Sequence, residues 1–184
     1  MNSISWRGVY PAATTQFNAD SSIDFEASQG VLDALIKDGV HGLIVLGTCG
    51  ENNSLEADEK RAALKAAVEV VAGRVPVVVG VSEMTTDRAA KFAKDAEALG
   101  ADALMVLPAM VYVPTELELE HHFRTVAAAT SLPMMLYNNP PAYRVSITTS
   151  VLQRLADVPN IVAVKESAPD TRRFTDLLNV FGDR

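Results

Sequence analysis

Short apolar runs alternate along the chain with longer segments in which apolar residues recur at helical spacing. The short runs lack the strict apolar–polar alternation of a strand with one face in water. Near-continuous apolar strands are typical of a parallel sheet that is covered on both faces. The pattern predicts six strands, at Gly8–Thr15, Gly42–Leu46, Val75–Val81, Ala103–Leu107, Pro133–Tyr137 and Ile161–Val164.

Each predicted strand is followed by a predicted helix. Glycines at 39, 73 and 100 are suited to end helices, because glycine readily adopts the positive φ of a helix C-terminus. Thr85 or Thr86 can cap the third helix and Thr148 the fifth. The predicted helices are Phe25–Asp38, Ala57–Ala72, Thr86–Leu99, Glu116–Ala129, Thr149–Ala156 and Asp170–Phe181.

Six strand–helix units fit either an open doubly wound sheet or a barrel. A doubly wound sheet usually carries a glycine-rich phosphate-binding turn after its first strand. Here the first strand leads into TTQFNAD, which has no such motif. We therefore predict a single domain, residues 1–184, with the α/β fold of a (β/α)₈ TIM barrel. A full barrel has eight units and roughly 250 residues, so we expect a barrel truncated to about six units, with open strand edges and exposed apolar faces.

Composition excludes several classes of function. The formal net charge is −7 and the basic residues are scattered, which argues against a nucleic-acid partner. No apolar run reaches the ~18 residues of a membrane span, and the N-terminus lacks the features of a signal peptide. The single cysteine, Cys49, cannot form an internal disulfide, so we expect a cytoplasmic protein.

Three histidines, His41, His121 and His122, share no spacing that would bind a metal. The candidate chemistry lies instead where strands end. Thr48 and Cys49 stand between two glycines after the second strand, and such a turn can present backbone N–H groups and a hydroxyl to a carboxylate. The same glycines also suit an ordinary tight turn.

Two further side chains mark the ends of the fifth and sixth strands. Tyr137 can transfer a proton at a strand end, although it can also be a core tyrosine. Lys165 ends an apolar strand, and a desolvated lysine amine is a nucleophile toward carbonyl groups. A lysine that emerges into solvent is the alternative. Because catalytic residues of such barrels lie at the carboxyl ends of the strands, the three sites would converge.

These segments resemble a known family, that of dihydrodipicolinate synthase and N-acetylneuraminate lyase. The stretch GLIVLGTCGEN at 42–52 is similar to the first signature of this family. YNNP at 137–140 and IVAVKES at 161–167 are similar to the second. The 28 residues between Tyr137 and Lys165 match the family spacing, and GVYPAATTQF is similar to its first strand.

The resemblance implies a Schiff-base lyase that needs neither a metal nor an organic cofactor. Lys165 would attack the C2 carbonyl of a 2-oxo acid such as pyruvate, and Tyr137 would relay protons. Thr48 would bind the substrate carboxylate or join the relay, and the backbone of Cys49 would help to hold that carboxylate. The family also implies a homo-oligomer, either a tetramer or a dimer.

Two positions depart from the synthase pattern. The synthase has a second relay tyrosine in the loop after the fourth strand, where this chain has Val111, with Tyr112 one residue later. It also has an arginine five residues after the strand-five tyrosine, where this chain has Ala142, with Arg144 two residues later. The departures favour a catabolic branch, with 1-pyrroline-4-hydroxy-2-carboxylate deaminase as the first hypothesis and sugar-acid dehydratases next. The synthase itself, a non-catalytic binding protein and an inert fragment are the alternatives.

Overall fold

The structure, a computed structural model, describes residues 4–109 and 111–182. Within these residues, five parallel strands form one sheet in the order β1-β2-β3-β4-β5. They are β1 (Leu43–Val45), β2 (Val77–Val81), β3 (Ala103–Val106), β4 (Met134–Asn138) and β5 (Ile161–Glu166).

The helices follow the predicted positions closely. They are α1 (Phe25–Lys37), α2 (Ala57–Val71), α3 (Thr86–Ala98), α4 (Glu116–Ala128), α5 (Pro140–Tyr143), α6 (Thr149–Arg154) and α7 (Arg172–Phe181), with a 3₁₀ turn at Asn52–Ser54. Thr85 and Thr148 cap α3 and α6 as predicted. The sequence interpretation missed α5, which begins with Pro140 at a position where a helix needs no N–H donor.

The predicted first strand is not a regular strand. The segment runs parallel to β1 but forms a single bridge, between Ala12 and Ile44. His41 donates to the Val9 carbonyl and Ile44 donates to the Pro11 carbonyl. Between these two hydrogen bonds the chain advances three residues from His41 to Ile44 but only two from Val9 to Pro11. This irregular register prevents a continuous ladder.

The two faces of the sheet are covered differently. One face carries the main core, in which α1, α2, α3, α4 and α6 pack on outward-facing strand residues, with α7 packed against its margin. The other face carries a small cluster of Ile44, Val78, Ala103, Met105, Leu107 and Tyr137. No residue of those six helices joins this second cluster within the described chain. Sequential parallel strands with all long helices on one face are the arrangement of a barrel wall, which confirms the predicted fold class.

The last unit is the least covered part of the fold. In α7 no described residue is buried, and Phe174 is 68% exposed. Val162 in β5 and Leu178 in α7 are also exposed. The expectation of exposed apolar residues beside the last strand is therefore confirmed. None of the helices in residues 4–109 and 111–182 is long and apolar enough to cross a membrane.

Candidate active site

The turn after β1 brings Thr48 and Cys49 to the carboxyl edge of the sheet. Leu46 has a φ of +54°, which turns the chain sharply away from the strand. The turn lies so close to β2 that a Cβ atom at Gly80 would be 2.1 Å from the Leu46 carbonyl oxygen, so only glycine fits there. Thr15 fixes the other side by donating to the Gly50 carbonyl at 2.7 Å.

Thr48 and Cys49 are both exposed at this turn. Within the described chain, the backbone N–H groups of these two residues donate to no protein acceptor. An exposed turn with two backbone N–H groups that have no protein acceptor, beside a hydroxyl, offers donors to an anion such as a carboxylate. The turn therefore offers free donors, and its role in binding a carboxylate stays a prediction.

The register of β4 and β5 places Tyr137 opposite Lys165. The register shifts between Met134 and Met135, because Met134 pairs with Ile161 but Met135 pairs with Ala163. Val162 is the extra residue of this bulge. Since strand side chains alternate between faces, an unshifted register would pair Lys165 with Asn138 and turn it to the opposite face. The bulge thus explains why a spacing of 28 residues places tyrosine and lysine side by side.

The Lys165 amine lies in an apolar, aromatic environment. Its Nζ atom is 4.1 Å from the centroid of the Tyr137 ring and 3.9 Å from the sulfur of Met105. No carboxylate forms an ion pair with Lys165 among the described residues. An amine that is not held by a carboxylate is available to attack a carbonyl carbon at the strand ends.

A polar clamp joins β4 and β5 on the opposite face. Asn138 is fully buried and donates to both oxygens of Glu166, at 2.8 and 2.9 Å, while its own oxygen accepts from the Ile147 N–H. Arg173 of α7 donates to Glu166 at 3.0 Å and to the Ile147 carbonyl at 2.7 Å. Asn138 and Glu166 directly follow Tyr137 and Lys165 in the paired strands, so the clamp fixes the register at the site.

The structure adds Tyr143, which sequence reasoning missed. Its hydroxyl is 2.5 Å from the Thr48 hydroxyl, and its ring meets the Tyr137 ring edge-on with centroids 5.7 Å apart. Burial raises the pKa of Tyr143, partly offset by the hydrogen bond to Thr48. The Asn139-Pro140 pair, a cap followed by proline, was the signal for a short helix that turns Tyr143 toward the strand ends.

Contacts link the predicted residues into one site: Lys165 touches Tyr137, Tyr137 touches Tyr143, and Tyr143 touches Thr48. Asn139 donates to the Tyr137 hydroxyl at 3.0 Å. Tyr112 lies elsewhere, 62% exposed, and donates to Glu118. Within residues 4–109 and 111–182, no group of three or more His, Cys, Asp or Glu side chains is arranged to bind a metal.

The fold and the site define a class of protein, a parallel barrel wall with a lysine and tyrosines at the strand ends. Comparison with known proteins identifies the family. The model of the Dihydrodipicolinate synthetase family matches residues 5–184. The chain belongs to this family.

Individual relatives agree. A 4-hydroxy-tetrahydrodipicolinate synthase of Salinibacter ruber is 39% identical over 174 residues, which are 94% of this chain and 58% of the relative. The dihydrodipicolinate synthase structure from Aquifex aeolicus has a TM-score of 0.93 at 31% identity, covering 97% of this chain and 61% of that one. YagE, a prophage protein of the same family from E. coli K12, was solved with pyruvate and has a TM-score of 0.91 at 31% identity, covering 95% and 59%. This chain thus spans about three-fifths of the length of these relatives.

Proposed function

We propose that this protein is a Schiff-base lyase that binds a 2-oxo acid covalently through Lys165. The observation that carries the proposal is the pairing of Lys165 with Tyr137 at the strand ends, with the amine 4.1 Å from the ring centroid and free of any carboxylate partner in the described residues. Family membership and the pyruvate complex of YagE support the substrate class.

In the proposed reaction, the neutral Lys165 amine adds to the C2 carbonyl of the 2-oxo acid. The carbonyl oxygen leaves as water, with one proton from the amine nitrogen and one from a proton donor at the site. The nitrogen keeps its second proton, so a protonated imine remains. The imine withdraws electrons from C3, so that a C3 proton or a neighbouring bond can be released. Tyr137 is the proposed proton carrier, and Thr48 with the backbone of Cys49 is the proposed carboxylate site. The residues themselves supply this chemistry, so the proposal includes no metal and no organic cofactor.

For the second half of the substrate we propose a catabolic reaction, with the deamination of 1-pyrroline-4-hydroxy-2-carboxylate first. Ala142 stands in α5 where the synthase pattern has an arginine, and Val111 stands where that pattern has a tyrosine. The second candidate is condensation of pyruvate with aspartate semialdehyde, which the name of the Salinibacter ruber relative favours.

Turnover of the two candidate substrates by the purified protein tests both levels of the proposal. We expect Lys165→Arg to abolish turnover, because a guanidinium does not form the imine, and Lys94→Arg, at an exposed helix position, to retain it. Faster turnover of pyruvate with aspartate semialdehyde would replace the catabolic assignment by the synthase. Turnover that survives Lys165→Arg would overturn the Schiff-base proposal itself.

A further inference from the structure

The Tyr143 hydroxyl occupies a position that no part of the proposed reaction has yet used. It is 2.5 Å from the Thr48 hydroxyl, and either oxygen can be the donor. The Tyr143 ring also packs edge-on against Tyr137. Tyr143 therefore contacts both of the hydroxyl residues that the proposed reaction already uses.

Local structure explains why Tyr143 is fixed there. Asn139 caps α5 by accepting from the Ala142 N–H, and Pro140 starts the helix with its φ already restricted. The other end of the Asn139 amide donates to the Tyr137 hydroxyl. A single side chain thus orients Tyr137 directly and Tyr143 through one helical turn, and Arg144 ends that turn in the left-handed conformation, with a φ of 57°.

We infer that Tyr143 is a positioning residue and the third hydroxyl of the proton path, acting on the substrate through Thr48. This inference rests on the proposed Schiff-base function. When the imine forms, the carbonyl oxygen must leave as water, and when the C3 proton is released, a base must accept it. A hydroxyl that gives a proton on one side can accept another on the other side, so a pair of hydrogen-bonded hydroxyls passes a proton without gaining or losing net charge.

The competing residue is Tyr112, which lies one position from the second relay tyrosine of the synthase pattern. Its hydroxyl is engaged with Glu118 of its own chain and its side chain is 62% exposed. Glu118 also caps α4 through Thr115. Of these two tyrosines only Tyr143 contacts Thr48 in the described chain, and Tyr112 serves as the matched tyrosine for comparison.

Two measurements on pyruvate alone separate this inference from the proposed function. Borohydride reduction followed by mass mapping reports the imine on Lys165, and the exchange of the pyruvate methyl protons in D₂O, followed by NMR, reports proton transfer at C3. We expect Tyr143→Phe to form the reduced adduct at saturating pyruvate but to exchange about 100-fold more slowly, the loss typical of a removed proton-transfer group. Tyr112→Phe should match the wild type in both measurements.

A double variant tests whether Tyr143 acts through Thr48. We expect Tyr143→Phe combined with Thr48→Val to exchange no more slowly than Thr48→Val alone, because residues that act as one unit are not additive. Normal exchange in Tyr143→Phe, additive losses in the double variant, or a loss in Tyr112→Phe would each overturn the inference while leaving the Schiff base intact. Failure of the wild type to form any adduct would overturn the proposed function and this inference together.

Discussion

The core around β4 and the edge formed by β5 and α7 lie side by side, but their residues differ sharply in how deeply they are buried. In β4, Met134, Leu136 and Asn138 are fully buried, whereas Ile161 is the only buried residue of β5. The reason is that β4 is paired on both sides, with β3 and β5, while β5 pairs only with β4 in the described chain. The candidate site lies across this boundary, with the buried Tyr137 on one side and the half-buried Lys165 on the other.

This contrast shows how a weakly covered strand can still hold a side chain in place. Burial fixes Tyr137, but it cannot fix Lys165 to the same degree. The bulge at Val162 and the clamp of Asn138, Glu166 and Arg173 set the register instead. Hydrogen bonds to charged groups contribute more than neutral ones, so a clamp of this kind can replace part of the missing apolar cover.

The largest effect is expected where the register itself changes. Insertion of one alanine between Val164 and Lys165 places the new residue opposite Tyr137, so Lys165 should pair with Asn138 and face away from Tyr137. We expect complete loss of the borohydride-trapped adduct on Lys165. The control Val162→Ala keeps the residue count and alters a 40% exposed side chain, so it should retain the adduct. Retention of the adduct after the insertion would show that the register of β5 against β4 does not set the site.

The next prediction compares two phenylalanines on the two sides of the boundary. Phe123 in α4 is 0% exposed and Phe174 in α7 is 68% exposed. Phe123→Ala should lower the free energy of unfolding by about 3–5 kcal/mol, as expected for a large cavity in a packed core. Phe174→Ala should change it by less than about 0.5 kcal/mol. Denaturant titrations followed by circular dichroism give both values, and equal losses would remove the distinction between core and edge.

A smaller loss is expected when the clamp is broken. Asn138→Ala leaves the Ile147 N–H and part of the Glu166 carboxylate without their partners, and should cost about 1–3 kcal/mol. Asn53→Ala, at an exposed position, serves as the matched control and should have little effect. If the same titration gives equal values for both variants, the clamp does not stabilise the β4–β5 pair.

The smallest expected effect is a pH dependence of the unfolding free energy that comes from His122, a buried residue of α4. His122 is buried between Thr86 and the Leu107 carbonyl, and burial lowers its pKa from the usual value. The unfolded chain therefore binds a proton at a higher pH than the folded one. Stability is fully present above the unfolded pKa of about 6.5 and falls as the pH drops through that value toward the lower folded pKa.

Unfolding measured between pH 7 and pH 5 checks this prediction. His122→Gln should reduce the slope of the unfolding free energy against pH. His121→Gln removes the smaller charge effect that also lowers the pKa of His122, so it should reduce the slope less than His122→Gln does. An unaltered slope in His122→Gln would contradict the assignment.

The sequence was sufficient for the parts of the site that depend on strand ends. Lys165 and Tyr137 end apolar strands, and parallel strands present their carboxyl ends at one edge, so their convergence was predictable. Thr48 was predictable from the glycines around it. The anion-binding and catalytic roles of these residues remain predictions.

Features that depend on register and short turns were not predictable. Tyr143 reaches Thr48 only because the four residues Pro140–Tyr143 form α5. A helix this short has no apolar periodicity, and its one signal, Asn139 followed by Pro140, does not reveal the contact between Tyr143 and Thr48. The irregular register at Val9–Pro11 reduced the predicted first strand to one bridge. The bulge at Val162 is likewise invisible in a continuous apolar run, although the whole pairing of Tyr137 with Lys165 depends on it.

The most direct test of this account is to locate the imine. The protein is incubated with pyruvate, reduced with borohydride, digested and mapped by mass spectrometry, with Lys165→Ala and a sample without pyruvate alongside. The account predicts a reduced pyruvate adduct on Lys165 alone, absent from both controls. Unmodified Lys165 in a folded sample, or an adduct that persists in Lys165→Ala, would contradict it.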